Sequence, residues 1–231
     1  MQFEKISIGG IPAIVWGAPS EKAYVHVHGK MSKKEEAQEF AEIACSRGYQ
    51  VVSFDLPEHG ERTDAAYKCD VWNGIRDLTT IHDYARRRWA CLSLFGCSLG
   101  ACFSLLAFKD ARFEKCLFYS PVLDMERLIA NMMKWFGTNE AELEEKQEIP
   151  TPIGETLSWK YYTYVKENRV TRWDVPTRII CGTNDNMTER EVFEDFARRF
   201  HCELEIVENG NHYFTTPDEL AALRDWYRRN V

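Results

Sequence analysis

Short apolar runs with almost no charge alternate along this chain with stretches whose apolar residues recur at helical spacing, and this alternation constrains the fold more than any other feature. "QVVSFD", "ACLSLFG", "KCLFYSP" and "TRIICG" have strand length and strand composition. Between them, "SKKEEAQEFAEIACSRGY" sets Ala37, Phe40, Ala41, Ile43 and Ala44 on one helical face, with Ser32 the expected N-cap and Gly48 the stop. "VWNGIRDLTTIHDYARRRW", "LGACFSLLAFKD", "TEREVFEDFARRF" and "PDELAALRDWYRRN" read as further helices. A strand that is apolar throughout is covered on both faces, as in a mostly parallel sheet wrapped by helices. The expected class is α/β with about eight strands. "FEKISIGGIPAIVWG" opens it as a hairpin turning at Gly9-Gly10, "KAYVHVHG" follows, and "CELEIVEN" is the last strand.

The twenty residues from Trp89 to Phe108 carry no charge, which matches the length of a membrane helix. They divide, however, into a strand and a helix joined by Gly96-Cys97-Ser98-Leu99-Gly100, which favours a buried element over a membrane span. With 231 residues the chain suits one domain, and its net charge of −7 argues against nucleic acid as a partner. Its eight cysteines fall mostly in apolar runs without a C-x-x-C pair, as expected of reduced, buried thiols and not of a zinc ribbon. The start "MQFEKISIGG" lacks the apolar core of a secretory signal, so a cytoplasmic location is expected. One interval breaks the alternation. The stretch 122–173, about fifty residues, is too long for a simple connection and is expected to form a small helical cap between the sixth and seventh strands of a single domain, 1–231.

Gly96 to Gly100 matches G-x-S-x-G at a strand-to-helix junction, where a sharp turn pushes the Ser98 hydroxyl outward. A serine hydroxyl needs a base within about 3 Å and a group that orients that base. Of six histidines, His212 in "ENGNHYF" follows the last strand and so lies at the sheet edge that carries Ser98. Asp185 in "CGTNDNMT" follows the preceding strand at the same edge, where ligands bind in open α/β sheets. Asp124 in "PVLDM" is the rival acid. His26, His82 and His201 read as structural, and His59 as a tie within its loop. Cys97, one residue from the turn's apex, is expected to point into the sheet and not to compete as nucleophile. The backbone N–H groups of Leu99 and Lys30 are the candidates for an oxyanion hole, with that of Met31 next in line for the second.

With these motifs in hand, the chain resembles an α/β-hydrolase and is similar to the small carboxylesterase, lipase-like and serine-aminopeptidase-like branch of that superfamily. The resemblance runs nearly full length: "HVHG" for the oxyanion loop, "DLPEHGER" for D-x-P-G-H-G-x-S, "GCSLG" for the nucleophile, "GTNDNM" for the acid and "GNHYF" for the histidine. Glu58 and Arg62 depart from the family pattern, which has Gly and Ser there. The resemblance implies acyl transfer through a covalent intermediate on Ser98, with Asp185 and His212 completing the triad and with no metal or organic cofactor. The expected partner is a small-molecule acyl ester, with no nucleic acid and no membrane; the oligomeric state is left open. A peptidase, thioesterase or acyltransferase would use the same residues, and a ligand-binding protein with little turnover is the alternative of another class. Met31 and the cap residues Trp135, Trp159 and Tyr162 are the candidates to line the substrate pocket.

Overall fold

The computed structural model describes residues 1–64 and 66–231. An antiparallel pair, β1 (Phe3–Ile8) and β2 (Ile11–Trp16), opens the chain and leads to β3 (Lys22–Val27). A 3₁₀ turn at Lys34–Ala37 runs into α1 (Gln38–Ser46), followed by β4 (Gln50–Phe54), α2 (Val71–Arg88), β5 (Cys91–Cys97), α3 (Leu99–Ala107) and β6 (Cys116–Tyr119). Next comes an insert made of α4 (Met125–Trp135), α5 (Glu140–Lys146), β7 (Glu148–Pro150), β8 (Thr156–Ser158) and α6 (Trp159–Glu167). The alternation resumes with β9 (Thr177–Asn184), α7 (Arg190–Phe200), β10 (Glu203–Asn211) and α8 (Pro217–Asn230).

Eight strands form one sheet in the order β1-β2-β4-β3-β5-β6-β9-β10. The β1–β2 and β2–β4 pairs are antiparallel and every later pair is parallel. Successive side chains of a strand point to opposite faces, and both faces are covered here. On β5, Leu94 joins the apolar cluster formed with Leu78 and Ile81 of α2 and Phe103 of α3, whereas Phe95 joins Phe40 of α1 and Trp226 and Tyr227 of α8. Val52 and Val51 on β4 divide in the same way. Each such side chain removed from water contributes about 1.5–3 kcal/mol, which is why these strands are apolar throughout. Among the described residues no helix is long and apolar enough to cross a membrane. The uncharged run is the buried β5 and α3, and all eight cysteines are free thiols.

The first helix differs from expectation. Ser32 is not its N-cap: the 3₁₀ turn precedes α1, and neither segment begins with a side-chain cap. The anchor is Asp55 instead. Its buried carboxylate accepts the Lys34 backbone N–H at 2.9 Å, the Lys34 ammonium at 2.8 Å and the Glu61 N–H at 3.0 Å. Burial works against both charges, yet these hydrogen bonds outweigh it, holding the Asp55 carboxyl below its ordinary range and lifting the Lys34 ammonium above its own.

The insert is also not helical throughout, because β7 and β8 pair as an antiparallel hairpin. "IPTPIGE" explains it: Pro150 and Pro152 cannot continue a helix, and Gly154 takes a φ of +83°. Thr151 closes the turn by donating its N–H and hydroxyl to the Glu155 carbonyl at 2.7 and 2.8 Å. The insert's apolar side chains, among them Leu128, Met132, Leu143 and Leu157, cluster together and reach Cys102 of α3.

Candidate active site

Ser98 is the single residue between β5 and α3, and its backbone sits at φ 48°, ψ −117°, a conformation that L-residues rarely adopt. Close packing imposes it. A Cβ on Gly100 would lie 2.3 Å from the His28 carbonyl oxygen, and one on Gly96 would lie 3.0 Å from the Ala101 Cα. Only glycines at these two positions let α3 turn back tightly over the ends of β3 and β5.

Strand register brings the other two groups to Ser98. On the parallel strands β9 and β10, Asn184 is paired with Asn211, so the residues that follow are Asp185 and His212. The strands approach closely here, since a Cβ on Gly182 would lie 2.0 Å from the Gly210 carbonyl oxygen. Asp185 Oδ1 accepts the N–H groups of Met187 at 2.9 Å and Thr188 at 3.0 Å, and its Oδ2 lies 2.8 Å from His212 Nδ1. A carboxylate accepts only, so Nδ1 carries the proton and leaves Nε2 as an acceptor. The Ser98 hydroxyl donates to that Nε2 at 2.8 Å. Ser98 is only 4% exposed and His212 2%. A hydroxyl bonded to an imidazole whose far side is held by a carboxylate can pass its proton to the ring as it attacks a carbonyl.

The loop that carries His212 is clamped by Glu219, which escaped notice in the sequence because it belongs to the terminal helix. Its carboxylate accepts N–H groups from Asn211 at 2.7 Å, Thr215 at 2.9 Å and Thr216 at 2.8 Å. The Tyr119 hydroxyl adds an acceptor for the Phe214 N–H at 2.7 Å. The rival acid is used elsewhere: Asp124 caps α4, accepting the Arg127 N–H at 2.9 Å. Burial pushes the Cys97 thiol up to about 12, which leaves it protonated and unreactive near neutral pH. His26 is buried, with its ring stacked on Phe95.

The loop after β3 passes close to Ser98: a Cβ on Gly29 would sit 3.1 Å from the Ser98 Cβ. His28 and His59 hold it. His28, kept neutral by burial with its pKa pushed down to about 4, donates Nδ1–H to the Gly29 carbonyl at 2.7 Å and accepts the Leu56 N–H at 3.1 Å. His59 donates to the Pro57 carbonyl at 2.8 Å and accepts the Met31 N–H at 3.0 Å, with Met31 at a φ of +61°. The N–H of Met31 is thereby engaged, whereas those of Lys30 and Leu99 donate to no other group among the described residues. Glu58 takes a φ of +63°, a conformation easier for glycine, and accepts the Cys69 N–H at 2.6 Å. Arg62 pairs with Asp77 of α2.

Three of the expected pocket residues belong to the insert, and Met31 belongs to the loop that passes Ser98. Trp135 is 52% exposed at the end of α4, and Met31 is 89% exposed. Tyr162 is buried in the insert's own cluster with its hydroxyl donating to Glu140 at 3.1 Å, and Trp159 packs beside it. All three cap residues lie on α4 and α6, whose apolar faces serve to hold the insert together. What reaches the Lys30 loop from the insert is Glu155, whose carboxylate pairs with the Lys30 ammonium.

The sheet order, the helices on both faces and the strand-end position of Ser98, Asp185 and His212 define an α/β-hydrolase fold. Solved structures similar to this chain share that architecture over nearly its whole length. Est1E from Butyrivibrio proteoclasticus, with ferulic acid bound, is 17% identical and superposes with a TM-score of 0.78 over 98% of this chain and 96% of its own. An esterase from Pyrococcus furiosus is 18% identical, with a TM-score of 0.70 over 99% of this chain and 89% of its own. A monoacylglycerol lipase from Paleococcus ferrophilus is 19% identical, with a TM-score of 0.68 over 96% and 99%. No protein-family model and no curated protein matches the sequence.

Proposed function

We propose that this protein is a serine hydrolase of the carboxylesterase kind, cleaving small acyl esters with Ser98, His212 and Asp185. The observation that carries the reading is the unbroken chain of hydrogen bonds from the Ser98 hydroxyl through His212 to Asp185, 2.8 Å at each link, beside two uncommitted N–H groups. His212 takes the Ser98 proton as Oγ attacks the ester carbonyl. The N–H groups of Leu99 and Lys30 stabilise the negative oxygen that forms, helped at Leu99 by the N-terminus of α3. His212 then protonates the departing alcohol, and water repeats the cycle to free the acid. The names of two structural neighbours, an esterase and a monoacylglycerol lipase, favour ester over amide as the scissile bond. The test is a panel of p-nitrophenyl esters and thioesters of increasing chain length, run on the parent and on Ser98→Ala. Labelling of the parent by a fluorophosphonate and a loss of about 10³-fold or more in the variant are expected. Retained turnover in Ser98→Ala would sink the reading.

A further inference from the structure

The ion pair between Lys30 and Glu155 joins two parts of the molecule 125 residues apart in sequence. Lys30 belongs to the loop that passes Ser98, and Glu155 to the turn of the β7–β8 hairpin. Both side chains are about one-third exposed, 37% for Lys30 and 33% for Glu155, so the pair stands at the surface and not in the core. Geometry fixes one end of it: Lys30 directly follows Gly29, where a Cβ would lie 3.1 Å from the Ser98 Cβ. One end of the pair is thus on the loop beside Ser98 and the other on the insert.

We propose that the Lys30–Glu155 pair is a charge gate that makes the site select uncharged acyl groups over acyl groups that carry a carboxylate. The inference rests on the Ser98 reading and adds a substrate class to it. With the pair closed, the Lys30 ammonium is neutralised and is not a free cation. A carboxylate at the far end of an acyl chain has to displace Glu155 from Lys30 and meets Glu155 as a like charge. The element that sets the preference is the insert, through one carboxylate. Without that carboxylate, Lys30 becomes an unpaired cation that attracts anionic acyl groups.

The experiment compares methyl hexanoate with monomethyl adipate, six-carbon acyl chains that differ in a terminal carboxylate, by pH-stat. The proteins are the parent, Glu155→Gln, Lys30→Met and the double variant, at about 0.02 and about 0.5 M salt. The parent is expected to favour the neutral ester. In Glu155→Gln the ratio of kcat/KM values shifts toward the adipate by about 10-fold at low salt, shrinks toward the parent's at high salt, and returns to it when Lys30→Met is added. A ratio that stays within about 2-fold of the parent's, or a shift that survives Lys30→Met, overturns the gate. Loss of both activities in Glu155→Gln while Ser98 still reacts with a fluorophosphonate also overturns it, because a gate leaves the nucleophile competent. Ser98→Ala in the same panel separates the two claims: parent turnover that persists without Ser98 removes the nucleophile reading, whatever the ratios do.

Discussion

His212 and Asp185 directly follow Asn211 and Asn184, which are register partners on β10 and β9, and the imidazole Nδ1 stands 2.8 Å from the carboxylate. Backbone pairing brings the two residues side by side, and the Glu219 carboxylate holds the His212 loop in place. Asp185→Asn should keep the fold and reduce kcat by about 10³- to 10⁴-fold, since an amide no longer enforces the tautomer that leaves Nε2 free. Asp124→Ala should instead lower stability by about 1 kcal/mol through loss of the α4 cap, with no comparable fall in kcat. Steady-state kinetics and thermal melts on both variants separate the two carboxylates.

His59 accepts the Met31 N–H, in the peptide next to Lys30, and is expected to position that loop. Removing its acceptor in His59→Ala should lower kcat by about 10-fold with little change in KM, a smaller loss than deleting an oxyanion donor outright. His59→Gln, which restores an acceptor, should recover part of the rate. A change confined to KM would show that His59 acts on substrate binding instead.

Glu219 should make stability depend on acid. Backbone N–H groups of Thr216, Asn211 and Thr215 bring its carboxyl from the ordinary 4.5 down to about 2. The unfolded chain therefore binds the proton first, and this group's contribution is complete above about pH 5 and disappears as the pH falls toward 2. Urea unfolding at about pH 5 and about pH 3 should show the parent losing more stability across that interval than Glu219→Gln. Equal losses would mean that the clamp does not hold the charged form.

Cys97 should be dispensable. With its thiol held protonated by burial, iodoacetamide near pH 7 should leave turnover intact over about an hour, and Cys97→Ala should retain activity within about 3-fold of the parent. Rapid inactivation by the reagent, blocked in Cys97→Ala, would place a reactive thiol at the site.

Much of the architecture was legible because it follows from local pattern. "ACLSLFG" is apolar at every position but one, and only a strand covered on both faces needs that. Once the strands are parallel, the turns after them lie at one edge, so Ser98, Asp185 and His212 could be listed as companions from their places after two apolar runs and the alternating strand "CELEIVEN". The first helix was legible in its periodicity but not in its start, because its anchor is Asp55 on another strand end and not the adjacent Ser32.

What only the tertiary structure decided are choices between chemically equivalent residues and contacts across long separations. Asp124 and Asp185 each follow a strand at the same edge, and only the packing of α4 turns the first into a helix cap. Trp159 and Tyr162 are aromatic residues of a kind that could line a pocket, yet they pack in the insert's own cluster, and nothing in sequence tells a pocket wall from a helix seam. Glu155 and Glu219 look like ordinary charged surface positions, yet one meets Lys30 and the other collects the N–H groups around His212. The division has one physical cause. Periodicity records whether a residue faces water or the core, a property of its own element, whereas the partner of a polar group depends on how separate elements are brought together in space.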